Sequence, residues 1–94
     1  MKQSEEQNIL ACEYHDYIEI ICLYRYNVTI TLTDNRLIQG QFHTTGFTTH
    51  QQHKYEVIKG FDDNQHPIEV KLTEIVKIDV NNQNAQFSSV RFDL

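Results

Sequence analysis

Hydrophobic residues recur along this chain with two different periods, and the change from one to the other falls near Arg25. Before it, Tyr14, Tyr17, Ile18, Ile21 and Cys22 follow the i, i+3, i+4, i+7, i+8 spacing of an amphipathic helix and predict one over residues 13–24. Glu13 and Asp16 stand in its first turn, where carboxylates complement the positive end of the helix dipole. With about 100° between successive residues, Ile18, Ile21, Cys22 and Tyr14 cluster on one side. Glu13, Asp16, Ile20 and Leu23 point broadly the other way, with Glu19 on a flank. One face is committed to the chain's own core and a second is left over.

After Arg25 the pattern alternates. Val28, Ile30 and Leu32 interleave with Thr29, Thr31 and Thr33, which predicts a half-buried strand, and Asp34-Asn35 supplies the chemistry of a tight hairpin turn. A second strand runs through Ile38, Gly40 and Phe42, where a glycine inside a strand signals a sharp bend or a close backbone approach. Gly46 and the polar run Thr48 to His53 predict a loop, and Tyr55 and Val57 open a third strand. A second turn is expected over Gly60 to Pro67, around Asp62, Asp63 and Asn64. Ile68, Val70 and Leu72 form strand four, Thr73 to Ile75 a brief turn, and Val76, Ile78 and Val80 strand five.

The ends are less patterned. Residues 1–11 are expected to form a flexible arm, and residues 81–94 a tail in which Phe87, Val90 and Phe92 return as a possible edge strand. The whole of residues 1–94 reads as a single domain with its barrel over 27–80. One helix followed by short twisted strands predicts a mainly β fold. The economical form is a small, partly open barrel, Sm-like or SH3-like, of five to six antiparallel strands with one N-terminal α-helix over an end. An OB-fold usually carries its helix between strands three and four, so the position of the helix favours the Sm-like or SH3-like form.

Composition narrows the function. A chain of 94 residues holds one small core, which argues against a multi-step enzyme with its own cofactor domain. No apolar run approaches the roughly 20 residues of a membrane span. The start MKQSEEQN also lacks the apolar segment of a signal peptide, so a cytoplasmic location is expected. Cys12 and Cys22, if both are on one helix, have Cα atoms about 15 Å apart, well beyond the roughly 7 Å limit for a disulfide. Lys2 against Glu5, Glu6, Glu13, Asp16 and Glu19 leaves a balance of −4 over residues 1–24, out of −5 for the chain. Acidity concentrated around the helix opposes phosphate binding and favours a basic protein surface as partner.

Other clusters carry less. His43, His50 and His53 surround the expected loop but match no strong metal-ligand spacing, and Asp62 and Asp63 belong to a turn. No nucleophile with a base at a plausible spacing emerges, so neither catalysis nor a cofactor is expected.

The segment ACEYHDYIEIICLYRYNVTITLTDNRLIQGQF resembles the start of the Rof family, the bacterial Rho-binding antiterminators, which pair a "C..YD.IE.AC" helix with a "V.L.L.DG..I.G" hairpin. The matching positions are Cys12, Asp16, Ile18, Glu19 and Cys22, then Val28, Ile30, Leu32, Asp34, Ile38 and Gly40. Cys22 with Arg25 and Tyr26, and later Ile68 to Ile78, extend the similarity over most of residues 11–80. Two positions differ: the usual Asp-Gly turn is Asp34-Asn35, and the usual tyrosine before the helix aspartate is His15, with Tyr14 and Tyr17 beside it.

The resemblance implies an Sm-like fold that binds the N-terminal, RNA-gathering domain of the termination factor Rho and blocks RNA loading. Asp16 and Glu19 match the family's helix acids, and Glu13 lies on the same outer side. Ile20 and the ring of Tyr14 or Tyr17 would supply apolar contact that a purely ionic interface lacks. On this reading the chain is a monomer when free, and it competes with RNA at Rho rather than binding it. The alternative is an Sm-like RNA-binding protein, expected to carry an acidic residue and an asparagine in the loop after strand two and a glycine-containing motif late in the chain. Neither His43–Gln52 nor Glu74–Val80 shows that pattern, and Arg25, Arg36, Lys54, Lys59, Lys71 and Lys77 are scattered along the sequence.

Overall fold

The structure, a computed structural model, describes residues 12–92 of the chain, with side chains from Tyr14 to Phe92. Helix α1 spans Cys12–Tyr24. It ends in a left-handed residue, Arg25 (φ 53°), and the Tyr26 N–H donates to the Ile21 carbonyl at 3.2 Å. This six-to-one bond is the Schellman closure, which satisfies an otherwise orphaned carbonyl and turns the chain sharply into the first strand. The expected flexible arm and the last two residues of the tail lie outside the described residues.

Six strands follow: β1 (Asn27–Leu32), β2 (Leu37–His50), β3 (His53–Asp62), β4 (Pro67–Lys71), β5 (Ile75–Val80) and β6 (Ser89–Arg91). They form one antiparallel sheet in the order β4-β3-β2-β1-β5-β6, a mainly β architecture of the open Sm-like barrel type with one N-terminal helix. Pro67, which cannot donate to a ladder, opens the edge strand β4, where that defect costs least. A 3₁₀ turn over Leu72–Glu74 carries the chain from β4 to β5 and buries Leu72.

The β1–β2 and β3–β4 hairpins share one turn geometry. Leu32 N–H donates to Arg36 O and Asn35 N–H to Leu32 O, each at 2.9 Å; Asp62 N–H donates to His66 O and Gln65 N–H to Asp62 O at the same distance. The third loop residue is left-handed in both, Asn35 at φ 70° and Gln65 at φ 66°, the bulged three-residue loop that follows a type I turn. The second turn is therefore confined to Asp63–Gln65, and Gly60 belongs to β3 instead of to the turn expected from Gly60 onward.

The loop expected at Gly46 and Thr48–His53 is instead strand. β2 continues to His50, and only Gln51 and Gln52, both left-handed at φ 52° and 70°, turn the chain. Threonine is β-branched and suits a pleated ribbon, so a polar run there need not be a loop. The turn carries no Asn-Gly pair that would have marked it.

Two bulges bend the sheet. Pairing steps from Phe42↔Gly60 to Thr44↔Lys59, leaving His43 as the extra residue, and β2 curves there. At this crossing the backbones nearly touch. A Cβ on Gly60 would lie 2.6 Å from the Phe42 Cα and collide with the Gln41 carbonyl, and one on Gly40 would collide with the Phe61 carbonyl. On the other side, pairing steps from Thr31↔Lys77 to Leu32↔Ile75, so Val76 is extra. Ile75 and Ile78 are the buried residues of β5 for this reason, in place of the strict Val76, Ile78, Val80 alternation.

Ile18 and Ile21 of α1 are fully buried with Val28, Ile30, Phe42, Ile58, Leu72 and Ile78. Along the helix's other flank runs the C-terminal segment. Tyr14 stacks on Phe92 at 4.7 Å, Tyr17 meets Phe87 edge-on at 5.0 Å, and the Tyr26 hydroxyl accepts the Gln86 N–H at 3.0 Å. β6, which holds this segment, pairs with β5.

Gly60→Ala should lower stability by about 2 kcal/mol, the cost of forcing atoms into a filled contact, seen as a lower urea midpoint at unchanged m-value. Arg25→Gly should raise it by about 0.5 kcal/mol. Relief of a left-handed non-glycine, roughly 1–2 kcal/mol, then exceeds the added chain entropy of about 0.5–1 kcal/mol.

Candidate functional site

With Ile18 and Ile21 turned into the core, helical geometry places Asp16, Glu19 and Leu23 on the opposite side, one turn after another. All three are exposed, and Leu23 is 74% exposed, the highest value among the exposed large hydrophobics of the described residues. Asp16 and Glu19 have no ion pair or hydrogen bond among the described residues, so both carboxylates are free for an external cation.

The remaining sequence-predicted residues are placed differently. Ile20 is half-buried and packs against the edge of the core. It does not share the exposure of Leu23, from which the helical wheel alone did not separate it. Tyr14 and Tyr17 are half-buried on the flank held by Phe92 and Phe87, so each keeps part of its surface toward solvent. Glu13 is in the helix, and its side chain lies outside the described residues.

The rotation of the helix is held by a polar contact as well as by the core. His15 Nε2 lies 2.8 Å from Glu56 Oε1 on β3, which ties the helix shoulder to the hairpin next to Asp16. The residue that differs from the family pattern thus makes a contact within the chain.

Beside the acidic stripe is an open cleft of about 540 Å³, walled by Glu19, Leu23 and Arg25 on one side and by His43, Thr44 and Thr45 of β2 on the other. Cys22 lies in its wall, a free thiol that burial pushes up to about 11, so it stays protonated and a poor nucleophile at neutral pH. The β2 wall is not legible as a site in the sequence, because the polar run from His43 to Gln52 reads as a loop. Leu23 carried a signal, being four residues from Glu19 and seven from Asp16.

The surface is suited to recognition. Among the described residues no group of three His, Cys, Asp or Glu side chains is placed to hold a metal ion, and His50 and His53 pair across the hairpin tip. No helix among the described residues is long and apolar enough to cross a membrane.

Comparison with known proteins gives the same direction. A solved structure of YaeO bound to magnesium, from Vibrio cholerae O395, superposes with a TM-score of 0.69 at 20% identity, covering 83% of this chain and 96% of that one, which shows a shared fold. No curated protein sequence matches the chain. The model of the family described as modulators of Rho-dependent transcription termination matches residues 9–92, nearly the whole chain. The chain thus belongs to the Rof family of modulators of Rho-dependent transcription termination, and is a non-catalytic Rho-binding antiterminator.

Proposed function

We propose that the outer stripe of α1 docks on the N-terminal primary RNA-binding domain of Rho and excludes RNA from it. The observation that carries this reading is the row of Asp16, Glu19 and Leu23, two carboxylates without partners among the described residues and an exposed leucine on successive turns. A domain that gathers RNA must present Lys and Arg to phosphates, and carboxylates on a rigid helix can take those groups through charge-assisted hydrogen bonds. Occupation of the site by the helix competes with RNA loading. Glu13, three residues before Asp16 in the sequence, is a third acid of this reading, and Ile20 and the part-exposed Tyr14 and Tyr17 border the stripe. The protein acts as a cytoplasmic monomer that binds Rho through this face.

Magnitudes separate the roles. Exposed ion pairs contribute about 0.2–1 kcal/mol each and mainly steer and orient the encounter, whereas burying a leucine side chain contributes about 1.5–3 kcal/mol. Leu23 is therefore the affinity anchor and the acids set the choice of partner.

Reversing both charges in an Asp16→Lys, Glu19→Lys variant should abolish Rho binding in a pull-down while leaving the circular dichroism spectrum unchanged. Undiminished binding by the folded variant would remove the two acids from the interface. Leu23→Ala should weaken binding about tenfold, the equivalent of roughly 1.4 kcal/mol. Its salt dependence should match that of the parent, because charge pairs alone are screened over the roughly 8–10 Å of physiological ionic strength. Saturating pyrimidine-rich RNA should release the protein from Rho, and a complex that persists would place its site elsewhere.

A further inference from the structure

The hairpin register sorts the scattered basic residues into an order that the linear sequence does not show. Across β2, β3 and β4 the pairs Thr48↔Tyr55, Gly46↔Val57, Thr44↔Lys59, Val57↔Lys71 and Phe61↔Pro67 put one set of side chains on a single face, turned away from the core residues Phe42, Ile58 and Val70. Along β3 the face reads Tyr55, Val57, Lys59 and Phe61, with Val57 fully buried beneath its neighbours. Lys71 Nζ stands 4.2 Å above the centre of the Tyr55 ring. The Lys59 stem lies across Gly46, where an added Cβ would come within 3.1 Å of its Cε. At the bulge the His43 imidazole stacks on Phe61 at 5.4 Å and 12°, and Phe61 remains 41% exposed beside an open groove of about 410 Å³ that Lys59 also lines.

Two further features point to an anionic, ring-bearing ligand. Lys59 and Lys71 have no carboxylate partner among the described residues, whereas Arg36 and Lys77 are paired with Asp34 and Asp79. Glu69, opposite Lys59, is the one acid that the β2–β3–β4 pairings place on this face, in a chain of net charge −5. Residues two apart on a strand face are spaced by about 6.6 Å, a stride into which the repeating phosphate of an extended single strand fits. Stacking platforms interleaved with cations are the means by which proteins hold single-stranded nucleic acid with little sequence preference.

We propose that this outer face binds single-stranded RNA, with the exposed Phe61 ring as base platform and Lys59 and the Tyr55-supported Lys71 as phosphate contacts. It adjoins the acidic stripe of α1 at His43, which lines both this groove and the cleft beside Glu19 and Leu23, but it uses different charged side chains, so the protein engages Rho through the helix and RNA through the sheet. This reverses, for the sheet face, the expectation that the chain competes with RNA without binding it. A bifunctional antiterminator of this kind keeps the displaced strand close to the complex while Rho's own site is covered.

Titration of the ¹⁵N-labelled full chain with a nine-residue uridine RNA tests this. Amide shifts should concentrate at His43, Tyr55, Lys59, Phe61 and Lys71 and spare Asp16, Glu19 and Leu23. The log of the binding constant should fall against log salt with a slope of about −1.4, two contacts at roughly 0.7 each. Lys59→Glu with Lys71→Glu should remove the shifts while the folded variant still binds Rho, and Phe61→Ala should weaken RNA binding about tenfold. The proposal is overturned by the absence of shifts on this face at millimolar RNA, by an unchanged response in the double variant, or by polyglutamate producing the same shifts and displacing the RNA. The last result would mark a general polyanion surface. Loss of Rho binding by the Asp16→Lys, Glu19→Lys variant bears on the helix alone, so the two readings fail independently.

Discussion

The structure depends on a place where two backbones meet with nothing between them. β3 crosses β2 so closely at Gly60 and Phe42 that a single methyl group would not fit, and Gly40, two positions along β2, meets the Phe61 backbone in the same way. Removing the side chains lets the sheet fold over on itself, and the extra residue His43 increases the local twist. A flatter sheet of this length would leave Phe42, Ile58 and Val70 without the helix and the β5 residues that now bury them. Side chains from the bent sheet and one face of the helix form a single core, as a chain this short requires.

The surfaces follow from that closure. Because Ile18 and Ile21 are the helix's contribution to the core, Asp16, Glu19 and Leu23 are directed outward whatever their own chemistry. The His15–Glu56 contact and the tail rings on Tyr14 and Tyr17 hold the helix from its two flanks. A rigid helix loses little conformational entropy when it binds, which favours an interface made by one element. Among the described residues, Asp16 and Glu19 on the helix and Lys59 and Lys71 on the outer side of the sheet make no ion pair.

How much of this could be read from the residues depended on whether the determining interaction was local. The helix showed in its 3.6-residue period, the β1 strand in its Val/Ile/Leu alternation with threonine, and the first hairpin in Asp34-Asn35, all within a few positions of one another. Gly40 correctly signalled a close backbone approach. The β2–β3 ribbon did not show, because its turn uses two left-handed glutamines and its strands are polar, features that sequence patterns assign to loops. Val76 was misplaced for a related reason: a bulge breaks the two-residue period, and the partner strand that imposes it lies far away in sequence.

By itself, then, the sequence determined the element types, the mainly β barrel with its leading helix, and the concentration of acid around that helix, since propensity, periodicity and charge are carried by neighbouring residues. It also carried the family resemblance through the helix and first-hairpin motifs. Only the tertiary structure decided that Ile20 turns toward the core while Leu23 stays in water, that Tyr14 and Tyr17 rest on the C-terminal rings, and that Lys59, Lys71, Tyr55 and Phe61 share a face. Each of those outcomes is set by cross-strand register or by a contact between segments far apart in the chain, and local pattern carries no record of either.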